Sequence, residues 1–169
     1  MIKLVKLAEA YRPQLEDFME EWTASGEAFV PYVIGKNDYH EFKTYLEQLE
    51  TKEAKDGLVP DSTFFALDTE TDQFVGAVNI RHYLNDKLLE DGGHVGDGVR
   101  PSMRRKGIAT KMIALALEEC RKLGITRVLM TCKKDNIGSA KSIQKNGGVL
   151  ENEVSVNGVV VQRYWIDLE

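Results

Sequence analysis

Apolar and polar residues alternate over residues 2–7 as in a first strand, and beyond Pro13 the apolar Leu15, Phe18, Met19 and Trp22 return at helical spacing. A loop follows from Ala24 to Asn37, after which Asp38 is placed to cap a second helix with Phe42, Tyr45, Leu46 and Leu49 on one face. Two strand-like runs, 63–67 and 74–80, flank the polar connection 68–73 and predict an antiparallel hairpin. The run His94 to Val99 holds two glycines, which favour a bulge or a close backbone approach. From Gly107 the apolar residues Ile108, Met112, Leu115, Ala116, Cys120 and Leu123 recur at helical intervals, and Gly124 stands where a glycine ends a helix. Residues 125–132, apolar at Val128, Leu129 and Met130, read as a buried strand, so that strand, helix and strand form a right-handed parallel βαβ unit. Asp135 or Asn136 can cap a short last helix that runs to Lys145 and stops at Gly147 and Gly148. Asn157-Gly158 between two strand-like runs signals a terminal hairpin.

This order describes an α/β fold: a mixed, mostly antiparallel sheet of about seven strands with a central parallel βαβ unit and about four helices. With 169 residues, 43% of them hydrophobic, a single domain over 1–169 is expected. The N-terminal residues lack the apolar stretch of a secretory signal, and no run approaches the ~20 apolar residues of a membrane span. The expectation is a cytoplasmic protein with no membrane partner. Cys120 and Cys132 are too few for a disulfide framework and lack zinc-site spacing, so both are expected as free thiols with no metal.

Charge changes the picture more through its distribution than through its sum of −5. Residues 100–145 hold 12 of the 22 Lys and Arg against only Glu118, Glu119 and Asp135, a net of +9, while the rest of the chain is at −14. An acidic protein with one basic segment is a poor match for nucleic acid and a good one for a small polyanion. That segment opens with Val99-Arg100-Pro101-Ser102-Met103-Arg104-Arg105-Lys106-Gly107-Ile108-Ala109-Thr110, which runs from a strand end into a helix start. Unpaired amides, the helix dipole, a glycine that lets a phosphate approach and three successive cations together make a pyrophosphate cradle. It is neither a P-loop, which needs G-x-x-x-x-G-K-[ST], nor a dinucleotide loop, because Gly96-Asp97-Gly98-Val99-Arg100-Pro101 ends in proline well before the helix.

The chain resembles the GCN5-related N-acetyltransferase (GNAT) superfamily over nearly its whole length. The family signature [RQ]-x-x-G-x-[GA] is met by Arg104, Gly107 and Ala109, after a strand ending Gly98-Val99 and before a helix, a buried strand, Asn136, a short helix and a hairpin. More narrowly, a Gly-Val-Arg-Pro-Ser strand exit and an Asp-Asn to Lys-Asn-Gly-Gly second helix are similar to a bacterial subgroup of that family.

The resemblance implies an N-acetyltransferase that moves an acetyl group from acetyl-CoA directly to a primary amine of a small molecule or protein. A non-catalytic module that only binds CoA is the alternative, and a homodimer is left open. The implied cofactor-binding residues are Gly98, Val99, Arg100, Arg104, Arg105, Lys106, Gly107, Ile108, Ala109, Thr110, Asn136 and Ser139. The amides of Arg105 to Thr110 would take the pyrophosphate, the backbone near Val99 would pair with pantetheine and the acetyl carbonyl, and the cofactor would enter where two parallel strands diverge. For the base, Asp97 shares the parity of Val99, whereas His94 has the better intrinsic pKa but the opposite parity unless a bulge corrects it. Relatives often place a proton-donating Tyr in the second short helix; here that position is Ile143, leaving Ser139, Ser142, Tyr164 or water. A covalent scheme through Cys132 with His94 is a minor alternative. Trp22, Phe29, Tyr32, Tyr39 and Tyr164 are available for the acceptor site, and the acidity of residues 1–99 suits a cationic amine.

Overall fold

The structure is a computed structural model and describes residues 1–169. Its elements, in chain order, are β1 (Ile2–Val5), α1 (Arg12–Ser25), α2 (Phe42–Gln48), β2 (Asp61–Asp68), β3 (Gln73–Arg81), β4 (Val95–Val99), α3 (Ile108–Lys122), β5 (Arg127–Lys133), α4 (Ile137–Lys145), β6 (Val149–Val156) and β7 (Val159–Asp167). Seven strands and four α-helices match the expected inventory. No helix is long and apolar enough to cross a membrane.

Local chemistry accounts for most of the boundaries. Pro13 lies in the first turn of α1, where its missing N–H costs nothing, and Gly26 closes that helix in the left-handed region at φ 74°. Gly124, at φ 80°, follows the C-cap of α3. Asn136 caps α4 by accepting the Ser139 N–H at 3.1 Å, which settles the choice against Asp135. Asn157 and Gly158, at φ 51° and 80°, make the tight turn between β6 and β7. Asp38 does not cap α2. Its carboxylate accepts the His40 N–H at 2.9 Å, and α2 begins only at Phe42, with Leu46 left at the surface.

The strands form two antiparallel sheets, β1-β2-β3-β4 and β5-β7-β6. The expected parallel βαβ unit is not formed, because β4 and β5 touch at one point only. There His94 N–H donates to Leu129 O at 2.7 Å, while the Leu129 N–H goes to the His94 ring at Nδ1, 2.9 Å away. The His94 carbonyl is already taken by Arg81 N–H across β3. An imidazole therefore receives the amide that a ladder would need, and no further β4–β5 bond follows. Gly93, at φ 71°, makes the approach possible: a Cβ there would lie 2.6 Å from Leu129 O.

The first sheet is packed on both faces. On one, Leu15, Phe18, Met19 and Trp22 of α1 meet Phe65, Phe74 and Ala77, with Ile34, Phe42 and Tyr45 alongside. On the other, Met112, Ile113, Ala116 and Cys120 of α3 meet Val78 and Ile80, and continue onto Val128, Met130, Tyr164 and Ile166 of the second sheet. Gly76 lets α3 lie close to β3, since a Cβ there would sit 2.4 Å from Met112 Sδ. The shared face of α3 thus holds the two sheets together while β4 and β5 separate above it.

One polar tie reinforces this arrangement. Arg100, just past β4, is buried and donates to Glu21 at 2.8 Å, Asp17 at 2.8 Å and the Phe74 carbonyl at 3.1 Å. Arg100→Gln is expected to lower the unfolding free energy by about 2 kcal/mol, since both carboxylates keep some solvent. Asp17→Asn, at the more exposed partner, should cost less than about 1 kcal/mol. Urea unfolding of both variants checks this, and equal losses would refute the anchoring role of Arg100.

Candidate active site

The separation of β4 from β5 leaves a cleft of about 870 Å³ bounded by β4, the head of α3 and the head of α4. The loop leading to α3 is shaped by two left-handed residues, Arg105 at φ 62° and Gly107 at φ 78°. Lys111 N–H makes the first intrahelical bond, to Gly107 O at 3.2 Å, so the amides of Ile108, Ala109 and Thr110 precede it without a backbone partner. Nothing lies within 4 Å of where a Gly107 Cβ would be, which leaves open space for a ligand against the backbone. These amides, the α3 dipole and the cations Arg105, Lys141 and Lys145 on the same walls suit a pyrophosphate.

The C-terminal half of α4 is braced against the first turn of α3. Asn146 Nδ2 donates to Thr110 O at 3.1 Å and Ser142 O at 2.9 Å, and the Thr110 and Ser142 hydroxyls are 3.2 Å apart. Asp97, Gly98, Val99, Arg104, Arg105, Gly107, Ile108, Ala109, Thr110, Asn136 and Ser139 all line the cleft, as the sequence suggests. Lys141, Ser142 and Lys145 line it as well; their spacing of one and two helical turns from Gly138 and Ser139 is the signal that places them on the same face.

Three expected residues stand elsewhere. Arg100 turns away into the α1 anchor described above and is not available to a cofactor. Lys106 points along the surface, its Nζ 3.9 Å from Met103 Sδ. His94 lies at the closed end of the strand separation with Nδ1 engaged by Leu129 N–H. The β3–β4 register is continuous, with no bulge, so His94 keeps the parity opposite to Asp97. Burial, with the nearby Arg81 charge, pushes its pKa down to about 4. Arg104 lines the cleft, but its guanidinium is held by Glu27 at 2.8 and 3.0 Å and lies over the Trp22 ring at 5.8 Å.

The glycines of β4 serve close approach. A Cβ on Gly98 would fall 1.8 Å from Val30 O, so residues 28–31 cross β4 there and bring Val30 and Trp22 to the cleft mouth. Of the other aromatic candidates, Tyr32 is exposed, Phe29 packs on Trp22, and Tyr39 packs on α1 and stacks on His40. Tyr164 is buried, its hydroxyl bonded to Gln162 at 2.8 Å and Gln144 at 3.3 Å. Ile143 is fully buried in the α3 core.

Asp97 faces the cleft from β4, half-buried, and burial raises its pKa to about 6. Across the gap, burial also raises the Cys132 thiol, opposed by a bond with Ser139 and assisted by the Asp97 charge. A thiol held protonated, with His94 on the other face, is poorly arranged for nucleophilic attack.

The chain's sequence matches the acetyltransferase (GNAT) domain model over residues 4–149. It belongs to the GNAT acetyltransferase family, whose cosubstrate is acetyl-CoA. Among solved structures it is similar to RimL, a ribosomal-protein α-N-acetyltransferase in complex with CoA, at 17% identity and TM-score 0.68, covering 99% of this chain and 96% of that one. It is also similar to a mutant form of the spermidine/spermine N-acetyltransferase SpeG of Vibrio cholerae, at 16% identity and TM-score 0.65, covering 99% and 95%. A third likeness is to YncA of Salmonella typhimurium, an acetyltransferase candidate solved with acetyl-CoA, at 12% identity and TM-score 0.66, covering 99% and 94%. No curated protein matches in sequence. No cluster of side chains able to hold a metal ion is present.

The raised pKa of Asp97 has a consequence for stability. Below pH ~4 its carboxyl is neutral in both folded and unfolded chains; as pH rises through about 6 the folded chain must charge a desolvated group. Asp97→Asn is therefore expected to stabilise the protein at pH 8 by up to about 3 kcal/mol and to lose that gain towards pH 4. Paired urea titrations at the two pH values test this; a difference independent of pH would refute it.

Proposed function

We propose that the cleft transfers an acetyl group from acetyl-CoA to a primary amine directly, without an acyl-enzyme. The observation that carries this reading is the opening beside the unpaired β4 edge, which brings Asp97 and the free amides at the head of α3 to one cavity. Bound there, acetyl-CoA supplies a thioester whose acyl group can pass to an amine. The amides of Arg105 to Thr110, with Lys141 and Lys145, would hold its phosphates, and β4 N–H groups facing the gap, Val99 among them, would orient and polarise its carbonyl.

Asp97 is the group placed to take the proton from the incoming amine. A carboxyl with a pKa of about 6 is a stronger base than an ordinary aspartate and is still mostly ionised at neutral pH. Ser139 and Ser142 line the cleft and can pass a proton to the departing thiolate, directly or through water, whereas Tyr164 is locked in the core. That the similar structures include enzymes for spermidine and for a protein amine supports an amine acceptor. The buried Ile143 favours a second reading, a CoA-binding module without turnover.

Calorimetric titration and thiol release over an amine panel separate these readings. Gly107→Glu should abolish acetyl-CoA binding, because bulk and negative charge enter the open space against the helix head while the fold persists; unchanged affinity refutes the phosphate site. The wild type should show an acidic limb near pH 6 in thiol release, missing from Asp97→Asn, whose rate at pH 8 should fall about a hundredfold. Tight acetyl-CoA binding with no release for any amine would favour the module.

A further inference from the structure

The cleft mouth already holds a cation, and it belongs to the protein. The Arg104 guanidinium donates from one terminal nitrogen to both oxygens of Glu27, at 2.8 and 3.0 Å, and its carbon lies over the Trp22 ring at 5.8 Å. A carboxylate beside an aromatic face is a cation site. Its frame does not depend on the occupant. Glu27 N–H donates to Ser25 Oγ at 3.2 Å, Trp22 Nε1–H donates to Ala28 O at 3.0 Å, and the Val30 carbonyl lies against Gly98. Glu27 and Trp22 therefore keep their places whether or not Arg104 stands between them.

The occupant, by contrast, is free to leave. Arg100 is buried with both Nε and Nη1 engaged, whereas Arg104 and Glu27 are half-exposed and the remaining N–H groups of Arg104 have no protein partner. A half-exposed pair of this kind is weak. Arg104 directly precedes the amides of 105–110 that suit a pyrophosphate, and it lines the same cleft as they do. A pyrophosphate carries more negative charge than one carboxylate and can accept a guanidinium bidentately. Bound cofactor thus competes with Glu27 for Arg104. Once Arg104 moves, the Glu27 carboxylate and one face of Trp22 are left without a cation.

We propose that Arg104 is an internal stand-in for part of the acceptor: acetyl-CoA draws it to the phosphates, and Glu27 with Trp22 then binds a second cationic group of a diamine-like acceptor. This deepens the acetyl-transfer reading and rests on it. Trp22 and the 28–31 crossing lie on the Gly98 side of β4 and Asp97 on the other, but the β4 edge is unpaired, and Trp22, Glu27 and Asp97 line one cavity. The reacting amine enters the gap over that edge, so a chain must separate it from the cation held at the mouth. Cofactor and acceptor then bind with positive coupling, each favouring the state in which Arg104 has left Glu27.

Calorimetry reads the exchange without turnover. Glu27→Gln frees Arg104, so CoA should bind that variant about threefold or more tighter than wild type, whereas Arg104→Gln should bind it about tenfold more weakly. 1,4-Diaminobutane should bind the wild-type CoA complex about fivefold tighter than the free protein, and this gain should vanish in Glu27→Gln. In thiol release, 1,3-diaminopropane, 1,4-diaminobutane and 1,5-diaminopentane are compared with propylamine, butylamine and pentylamine. At least one diamine should exceed its monoamine about tenfold in kcat/KM; Glu27→Gln should remove most of that advantage through KM, and Glu27→Asp should restore part. If CoA tightens on Glu27→Gln and the diamine is coupled to it, but no amine releases thiol, acetyl transfer fails and the exchange stands. If CoA does not bind the wild type, both fail. Unchanged or weakened CoA binding in Glu27→Gln, diamine binding indifferent to CoA, or thiol release with no diamine preferred overturns the exchange.

Discussion

The placement of the whole cleft depends on where Arg100 goes. Its backbone N–H donates to Val75 O at 2.8 Å, extending the β3–β4 ladder by one residue, while its side chain crosses to α1. Glu21 then receives Ser102 N–H at 3.0 Å and Ser102 Oγ at 2.9 Å as well as Arg100. Although partial burial opposes it, the Arg100 and Ser102 donors hold the Glu21 carboxyl below its ordinary range. One carboxylate on α1 therefore fixes both the end of β4 and the start of the loop that carries Arg105 and Gly107 to α3. The unpaired amides are held in position by a contact some 80 residues away in sequence rather than by the loop's own sequence.

This division explains what could be read from the chain alone. The head of α3, the Asn136 cap and the Asn157-Gly158 turn are local: each needs only a few neighbouring residues to choose its backbone, and each formed as expected. The acetyltransferase fold and most of the residues that line the cleft followed from these local signals in their order. What depended on distant partners was not legible. Arg100 lies in a run of cations and reads as one more ligand for an anion, until Asp17 and Glu21 are brought beside it. The alternation of β4 and β5 reads as two neighbouring parallel strands, and nothing in it reveals that the His94 side chain takes the amide on which pairing depends. Asp38 looked like a helix cap because a cap and a turn draw on the same side-chain chemistry.

Separation of β4 from β5 must be balanced elsewhere, because two half-paired edges over a cavity would otherwise close or slide. Three features hold them apart. The His94–Leu129 contact fixes one end, the α3 core binds β3, β5 and β7 from beneath, and the 28–31 crossing lies against Gly98 on the opposite face. All three use positions where a larger or different side chain would not fit. Gly93 and Gly98 face backbone carbonyls at distances no Cβ tolerates. The glycines of this region are thus the means by which an antiparallel sheet is kept open beside a second one, with the edge amides of β4 left for a ligand.

The same packing constrains how protons can move in the proposed reaction. Position 143 faces inward, and Ile143 Cγ2 lies 2.5 Å from where a Cβ on Gly148 would be, so the helix turn that follows is fitted tightly around it. A tyrosine there would have to enter the α3 core, where added volume is strained, and its hydroxyl would not reach the cleft from that side. Proton supply to the thiolate must come from the exposed wall instead, from Ser139, Ser142 or the solvent between them. That suits a leaving group of low basicity, which needs little assistance, and places the demand on the other proton, the one the amine must lose. Asp97 meets that demand by burial: the desolvation that raises its pKa to about 6 is what makes it basic enough to accept the proton, and the energy spent on it is recovered from the α1 and α3 cores on either side.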